Sequence, residues 1–241
     1  MLYKIIHNNS NSLSFMQIVW KGQSCFQIIT NREKNNHGDT SRGNNQVSIV
    51  IDPYGETTGL RIPKLEADIL LVTHDHPDHN NTKAVSGNYF LITGAGEYEI
   101  KDAFIHGIPV FHDPAGKTGE GEVIIYTIES EGIRVCHLGD LGQKELTEDQ
   151  IEKIGNIDIL MIPVGGVYTI SSKEATKIIA QIEPRIVIPM HYHIPKLKIK
   201  LEGLEKFLKA MGVKSPETLN KLTIKKKDIP EEGMEIKVLK I

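Results

Sequence analysis

The sequence predicts an α/β fold, and three features predict it. Short apolar runs of strand length fill the first half of the 241 residues, helical periodicity sets in after residue 146, and a His or Asp closes several of the apolar runs. With 39% hydrophobic and 24% charged residues, the chain has a globular composition and is long enough for one sizeable core. A formal net charge of −3 lacks the basic surplus of a dedicated nucleic-acid binder.

The elements follow in order. "MQIVW" (16–20), "CFQIIT" (25–30) and "VSIVID" (47–52) are rich in β-branched residues and separated by turn residues, as neighbouring strands are. Between the second and third, the polar Asn- and Gly-rich stretch 31–46 reads as a hairpin loop, with His37 a solvated residue in it. Then come "ADILLVTH", "YFLIT" (89–93), "IPVFH" (108–112), "EVIIYTI" (122–128) and "IRVCHLGD" (133–140), the last two joined by the hairpin signal "ESEG". From there the period changes. Thr147 with Gln150, and Ser171 with Glu174, form capping boxes that open two helices stopped by Gly155 and Pro184. Each helix is followed by an apolar strand, "IDILMIPV" and "RIVIPMH". A last helix with Leu197, Leu201, Leu204, Leu208 and Met211 on one stripe precedes the closing strand "MEIKVLKI".

The densest chemistry lies in "VTHDHPDHN" (72–80), directly after a buried strand. His74 and His76 alternate as on an extended strand end, so both rings can face one point. Asp78 and His79 come around the turn at Pro77 and can serve a second point nearby. Imidazole and carboxylate without thiolate suit zinc, manganese or iron. Four ligands in one loop cannot complete two sites. His112, Asp140 and His191, each at a strand end where α/β sites form, are the candidates to complete them. The two cysteines, Cys25 and Cys136, form no CxxC pair and read as small buried residues.

"THDHPDH", a later His before a turn, "HLGD", "PVGG" and "IPMHY", in that order, resemble the metallo-β-lactamase superfamily, and within it the small cytoplasmic zinc-dependent hydrolases related to ascorbate-phosphate lactonases. The resemblance runs from Met16 to the C-terminus. It implies a four-layer αβ/βα sandwich over residues 16–241, with residues 1–15 as an N-terminal extension. It also implies a dinuclear site with two zinc ions per chain, manganese or iron being alternatives. His74, His76 and His112 would hold one ion, Asp78, His79 and His191 the other, and Asp140 would bridge them. A bridging hydroxide would be the nucleophile, with Asp78 as the catalytic residue that orients it.

Other residues compete for these roles or flank them. His106 begins the strand that His112 ends and is expected at the wrong edge of the sheet. His137 has opposite parity to Asp140 and is expected in the core or behind the ligands. His193 and Tyr168 are expected on the rim; His7 carries no signal. The family commonly has a G-H-S-C-F segment where this chain reads "KGQSCF", so Gln23 replaces a titratable group by one that only hydrogen-bonds. The locally basic segment 194–227, with Lys196, Lys198, Lys200, Lys206 and Lys225–Lys227, reads as a solvated helix face, with contact to a phosphate-bearing substrate or to a second subunit as the alternative.

The resulting expectation is a cytoplasmic metal-dependent hydrolase, since no signal-peptide or membrane-spanning pattern is present. Its substrate would be a small anionic ester, lactone or phosphodiester, with no membrane or nucleic-acid partner; a homo-oligomer remains open. A metallonuclease acting on RNA or DNA and a non-catalytic metal-binding scaffold are the alternatives.

Overall fold

The computed structural model describes residues 15–32, 45–112 and 121–241. The N-terminal extension up to residue 14, with His7, most of loop 31–46, with His37, and the turn after His112 lie outside the described residues.

Sixteen strands are described. They are β1 (Met16–Gly22), β2 (Cys25–Asn31), β3 (Gln46–Ile51), β4 (Leu65–Glu66), β5 (Ile69–Leu71), β6 (Val85–Ser86), β7 (Phe90–Ile92), β8 (Gly96–Ile100), β9 (Ala103–Phe111), β10 (Glu122–Ser130), β11 (Ile133–His137), β12 (Ile159–Pro163), β13 (Ile186–Met190), β14 (Glu217–Leu219), β15 (Leu222–Ile224) and β16 (Glu235–Leu239). Three helices join the later strands: α1 (Glu148–Ile154), α2 (Ser172–Ile182) and α3 (Leu204–Ala210).

The strands form a six-stranded sheet, ordered β15-β1-β2-β3-β5-β7, an eight-stranded sheet, ordered β14-β16-β13-β12-β11-β10-β9-β8, and the small pair β4-β6. Alternation explains how the first sheet packs. Ile49, Ile51, Ile69 and Leu71 join the core shared with the second sheet, whereas Val50 and Leu70 point the other way into a smaller cluster with Cys25, Tyr54, Leu65 and Val85. The outer layer over the six-stranded sheet is therefore built from β4, β6 and short 3-10 turns. The α-helices belong to the eight-stranded side, where β11, β12 and β13 run parallel and need crossovers. The Tyr126 hydroxyl on β10 donates to the Val72 carbonyl at 3.0 Å, and the Ile124 N–H donates to the Thr73 carbonyl at 2.9 Å, so the second sheet grips the chain just before the His-rich turn.

Both capping boxes form: Thr147 and Ser171 accept from the backbone N–H three residues on, and the side chains of Gln150 and Glu174 accept in return. The expected last helix is shorter than its stripe. It starts only at Leu204, and Leu197 and Leu201 are buried from a loop instead. Strand β8, "GEYEI", was not expected from its half-polar sequence; it pairs with β9 at the sheet edge. None of the described helices is long and apolar enough to cross a membrane.

Candidate metal centre

Strand β5 stops at Leu71, and residues 73–79 turn rather than extend. The His76 N–H donates to the His74 carbonyl at 3.1 Å and the His79 N–H to the His76 carbonyl at 2.9 Å, so the expected strand-like alternation of His74 and His76 is replaced by a folded loop. Pro77 within the motif cannot extend a ladder, which favours the turn. The rings still converge. His74 Nε2 and His76 Nδ1 lie 3.0 Å apart, close to the ~3.3 Å expected for two nitrogens sharing one tetrahedral zinc.

His112, just past β9, completes a first set with His74 and His76; its ring centroid lies 5.1 Å from each of theirs. Asp78, His79, Asp140 and His191 form a second set, and within each set one ligand atom per residue lies within 4.8 Å of the others. Asp140 follows β11 and His191 follows β13, at the carboxyl ends of two parallel strands that flank β12. The sets adjoin at Asp140. Its Oδ2 lies 3.1 Å from His79 Nε2, 3.2 Å from His191 Nε2 and 4.0 Å from His112 Nε2. One carboxylate oxygen thus reaches nitrogens of both sets, the placement a bridging ligand needs.

Burial makes this cluster costly without a cation. Burial alone would raise the Asp140 carboxyl, but His191 and His79 outweigh it and hold the group well below the usual carboxylate range. Burial would likewise lower His79, yet Asp140 and Asp52 hold it well above the usual imidazole value. His74, with less carboxylate support, is pushed down to about 3 by burial. His79 Nε2 and His191 Nδ1 are buried and meet hydrogen-bond geometry with no described residue. Buried imidazole nitrogens gathered beside two carboxylates, with ligand atoms within 4.8 Å of one another, are the donor chemistry of a divalent cation site.

A residue absent from the sequence-based candidates organises the cluster. Asp52, fully buried at the end of β3, accepts from the Thr73 N–H and the Thr73 hydroxyl, each at 2.8 Å, and from His79 Nδ1 at 2.9 Å. Since the Thr73 proton goes to Asp52, the contact of 2.9 Å between Thr73 Oγ1 and His74 Nδ1 must be donated by the ring. With one proton per ring, as a bound cation requires, both Nε2 lone pairs would face the centre; fixing that tautomer is the role outer carboxylates play around metal-ligating histidines.

The remaining candidates separate cleanly. His137 is buried away from the cluster; its Nε2 donates to the Ser24 carbonyl and its Nδ1 accepts the Gly139 N–H. His106 lies on the far part of β9, lining a groove with Glu97 and Arg134. His193 is exposed. Gln23 is fully buried and donates to Asp78 Oδ2 at 3.0 Å. Cys25 and Cys136 are buried, free and far from ionising, as burial pushes both thiols up.

A cavity of about 510 Å³ opens onto ligands of both sets and is otherwise walled by Pro77, Tyr168, Lys198, Ile199 and Lys200. Lys198 and Lys200 were expected on a solvated helix face. They sit instead on the loop between His191 and Leu204, pinned by the Lys198 N–H to the Thr58 carbonyl at 2.8 Å and the His193 N–H to the Glu202 carbonyl at 2.8 Å.

Residues 17–191 match the family model of the Beta-lactamase superfamily domain. A UPF0173 metal-dependent hydrolase of Thermococcus onnurineus is 32% identical over 60% of this chain and 77% of its own, and a UPF0173 protein of Pyrococcus abyssi is 31% identical over 73% and 83%. Among solved structures, a candidate Zn-dependent hydrolase of the metallo-β-lactamase superfamily from Thermotoga maritima superposes with a TM-score of 0.71 at 35% identity, covering 93% of this chain and 98% of its own. A metal-dependent hydrolase candidate from Parabacteroides distasonis, at 18% identity and a TM-score of 0.60, shares the fold. Sequence match, strand order and the two converging ligand sets agree: the chain belongs to the β-lactamase superfamily and has the α/β fold of the metallo-β-lactamases.

Proposed function

We propose that this protein is a metal-dependent hydrolase with a dinuclear centre, two zinc ions per chain, acting in the cytoplasm on a small anionic ester, lactone or phosphodiester. The observation that carries the reading is the Asp140 carboxylate oxygen lying among nitrogens of both ligand sets. The names of the UPF0173 relatives support the reaction class. His74, His76 and His112 would hold one ion and Asp78, His79 and His191 the other, with Asp140 between them. Two divalent ions held there supply Lewis acidity and a water acidic enough to ionise near neutral pH.

The chain's own residues do the rest. Asp52 and Thr73 set the ring protons of His79 and His74 so that their lone pairs face inward. Asp78, with its side chain 19% exposed where Asp140 is only 4% exposed, is the ligand carboxylate open to the cavity and the one placed to orient an attacking water. Lys198 and Lys200 favour an anion in the cavity, while Tyr168 and Ile199 offer it an apolar wall. The cavity volume falls in the range of small-molecule sites.

Two measurements test the reading together. Elemental analysis of protein purified without chelator is expected to give two zinc ions per chain, and Asp78→Asn is expected to lose nearly all turnover of a lactone, ester or phosphodiester panel while keeping its circular dichroism spectrum. Protein that neither carries nor takes up metal, or wild-type turnover by that variant, would refute it.

A further inference from the structure

The turn between β1 and β2 consists of Gln23 and Ser24, both fully buried. Three of the four residues in the Asp78/His79/Asp140/His191 set are held against it. Gln23 Nε2 donates to Asp78 Oδ2 at 3.0 Å, Ser24 Oγ donates to Asp140 Oδ1 at 3.3 Å, and the Gln23 carbonyl accepts the His191 backbone N–H at 3.1 Å. Those three ligands come from a loop after β5, the end of β11 and the end of β13, so one short turn gauges three separate parts of the chain. The turn is itself anchored: Trp20 Nε1 donates to the Gln23 carbonyl and His137 Nε2 to the Ser24 carbonyl, each at 2.9 Å. His79, the fourth member, is held by Asp52.

We propose that the Gln23–Ser24 turn is the positioning element of this second ligand set, with the Gln23 amide as its decisive contact, so that loss of that amide weakens the affinity for one ion of the pair and leaves the other unchanged. The proposal rests on the dinuclear reading above. Asp78 needs such a contact most. Its side chain is 19% exposed, against 4% or less for His79, Asp140 and His191, so packing constrains it least. Its carboxylate accepts and cannot donate, so only a donor can hold it; a reversed amide would set oxygen against oxygen. Gln23 supplies that donor from a left-handed backbone, φ 53°, that the two-residue turn requires.

The test is a zinc titration of metal-free protein against a chromophoric chelator at neutral pH, comparing wild type with Gln23→Ala, Gln23→Glu and Gln23→His. His112→Ala and His191→Ala serve as references that each remove one site. Gln23→Ala is expected to bind one ion as wild type does and the other about 10–100-fold more weakly, the weakened ion being the one lost in His191→Ala. Gln23→Glu keeps the side-chain volume but turns a carboxylate on Asp78, so it is expected to weaken the same ion even if the Ala variant folds poorly. Gln23→His keeps a ring N–H donor at a backbone conformation that His tolerates, and is expected to recover most of the affinity. Thermal midpoints of the metal-free variants report the fold independently. Equal weakening of both ions, or of neither, in Gln23→Glu would overturn the positioning role while leaving the hydrolase reading intact. A wild type that binds no zinc would remove both.

Discussion

Asp52 shows what a single carboxylate can set when it is buried with three donors around it. It fixes the His79 ring directly and the His74 ring through Thr73, one histidine in each ligand set. Asp52→Asn presents an amide that donates back towards one of those donors and scrambles the relay. Both ions are then expected to bind about 10–100-fold more weakly in chelator competition; weakening of only one would mean that the Thr73 relay is idle. The candidate ligands that the fold gathers were legible in "THDHPDH", "HLGD" and "IPMHY" because imidazoles and carboxylates rarely crowd together at such spacing without a shared task. Asp52 was not. A strand-terminal Asp followed by Pro53 is spelled like any turn, and only its burial, a tertiary property, marks it out. The same holds for Lys198 and Lys200, which lie more than 120 residues along the chain from the turn at Pro77 that lines the same cavity.

At the scale of elements, local signals survived folding and long-range ones redirected the rest. The capping boxes at Thr147 and Ser171 need only four consecutive residues, and both form as read. Ser171→Ala removes the hydroxyl that accepts the Glu174 N–H and is expected to cost ~1 kcal/mol, seen as a lower denaturant midpoint with unchanged metal content, because α2 carries no ligand. The stripe from Leu197 to Met211 looked helical because buried positions recur, yet its first part is held as a loop by bonds from Lys198 to Thr58 and from His193 to Glu202. Burial was read correctly there and the backbone was not. For "GEYEI" the opposite applies: an edge strand keeps polar residues on one face, so its pattern is too weak to find without its partner β9.

For the molecule as a whole, the two sheets meet in one core, and the ligand loops rise from both of them. His74, His76, Asp78 and His79 follow β5 of the first sheet, while His112, Asp140 and His191 follow β9, β11 and β13 of the second. A metal bound across both sets would therefore tie the sheets together. Free ion at 100 times its dissociation constant adds about 2.7 kcal/mol to folding stability, so chelation is expected to lower the thermal midpoint clearly. Protons compete with metal for imidazole, whose ordinary pKa is ~6.5. The gap in thermal midpoint between loaded and chelated protein is thus expected to shrink as pH falls from about 8 to about 5. A gap independent of pH would exclude histidine ligation. Most of the strand order was beyond sequence reading: the "ESEG" hairpin signal foretells the antiparallel β10–β11 pair, but nothing local says that β3 pairs in parallel with β5 or that β10 also pairs with β9.

Gly139 stands one residue before Asp140, in a left-handed conformation, and a methyl there would lie 2.7 Å from Val123 Cγ1 and 3.0 Å from Thr73 Cβ. Thr73 precedes His74, Val123 lies on β10, and Gly139 leads into the carboxylate shared by both ligand sets. The missing side chain therefore acts as the gauge block of the cleft. Any side chain there would wedge the two ligand-bearing walls apart, widening the gap between the two ligand sets from a position that belongs to neither.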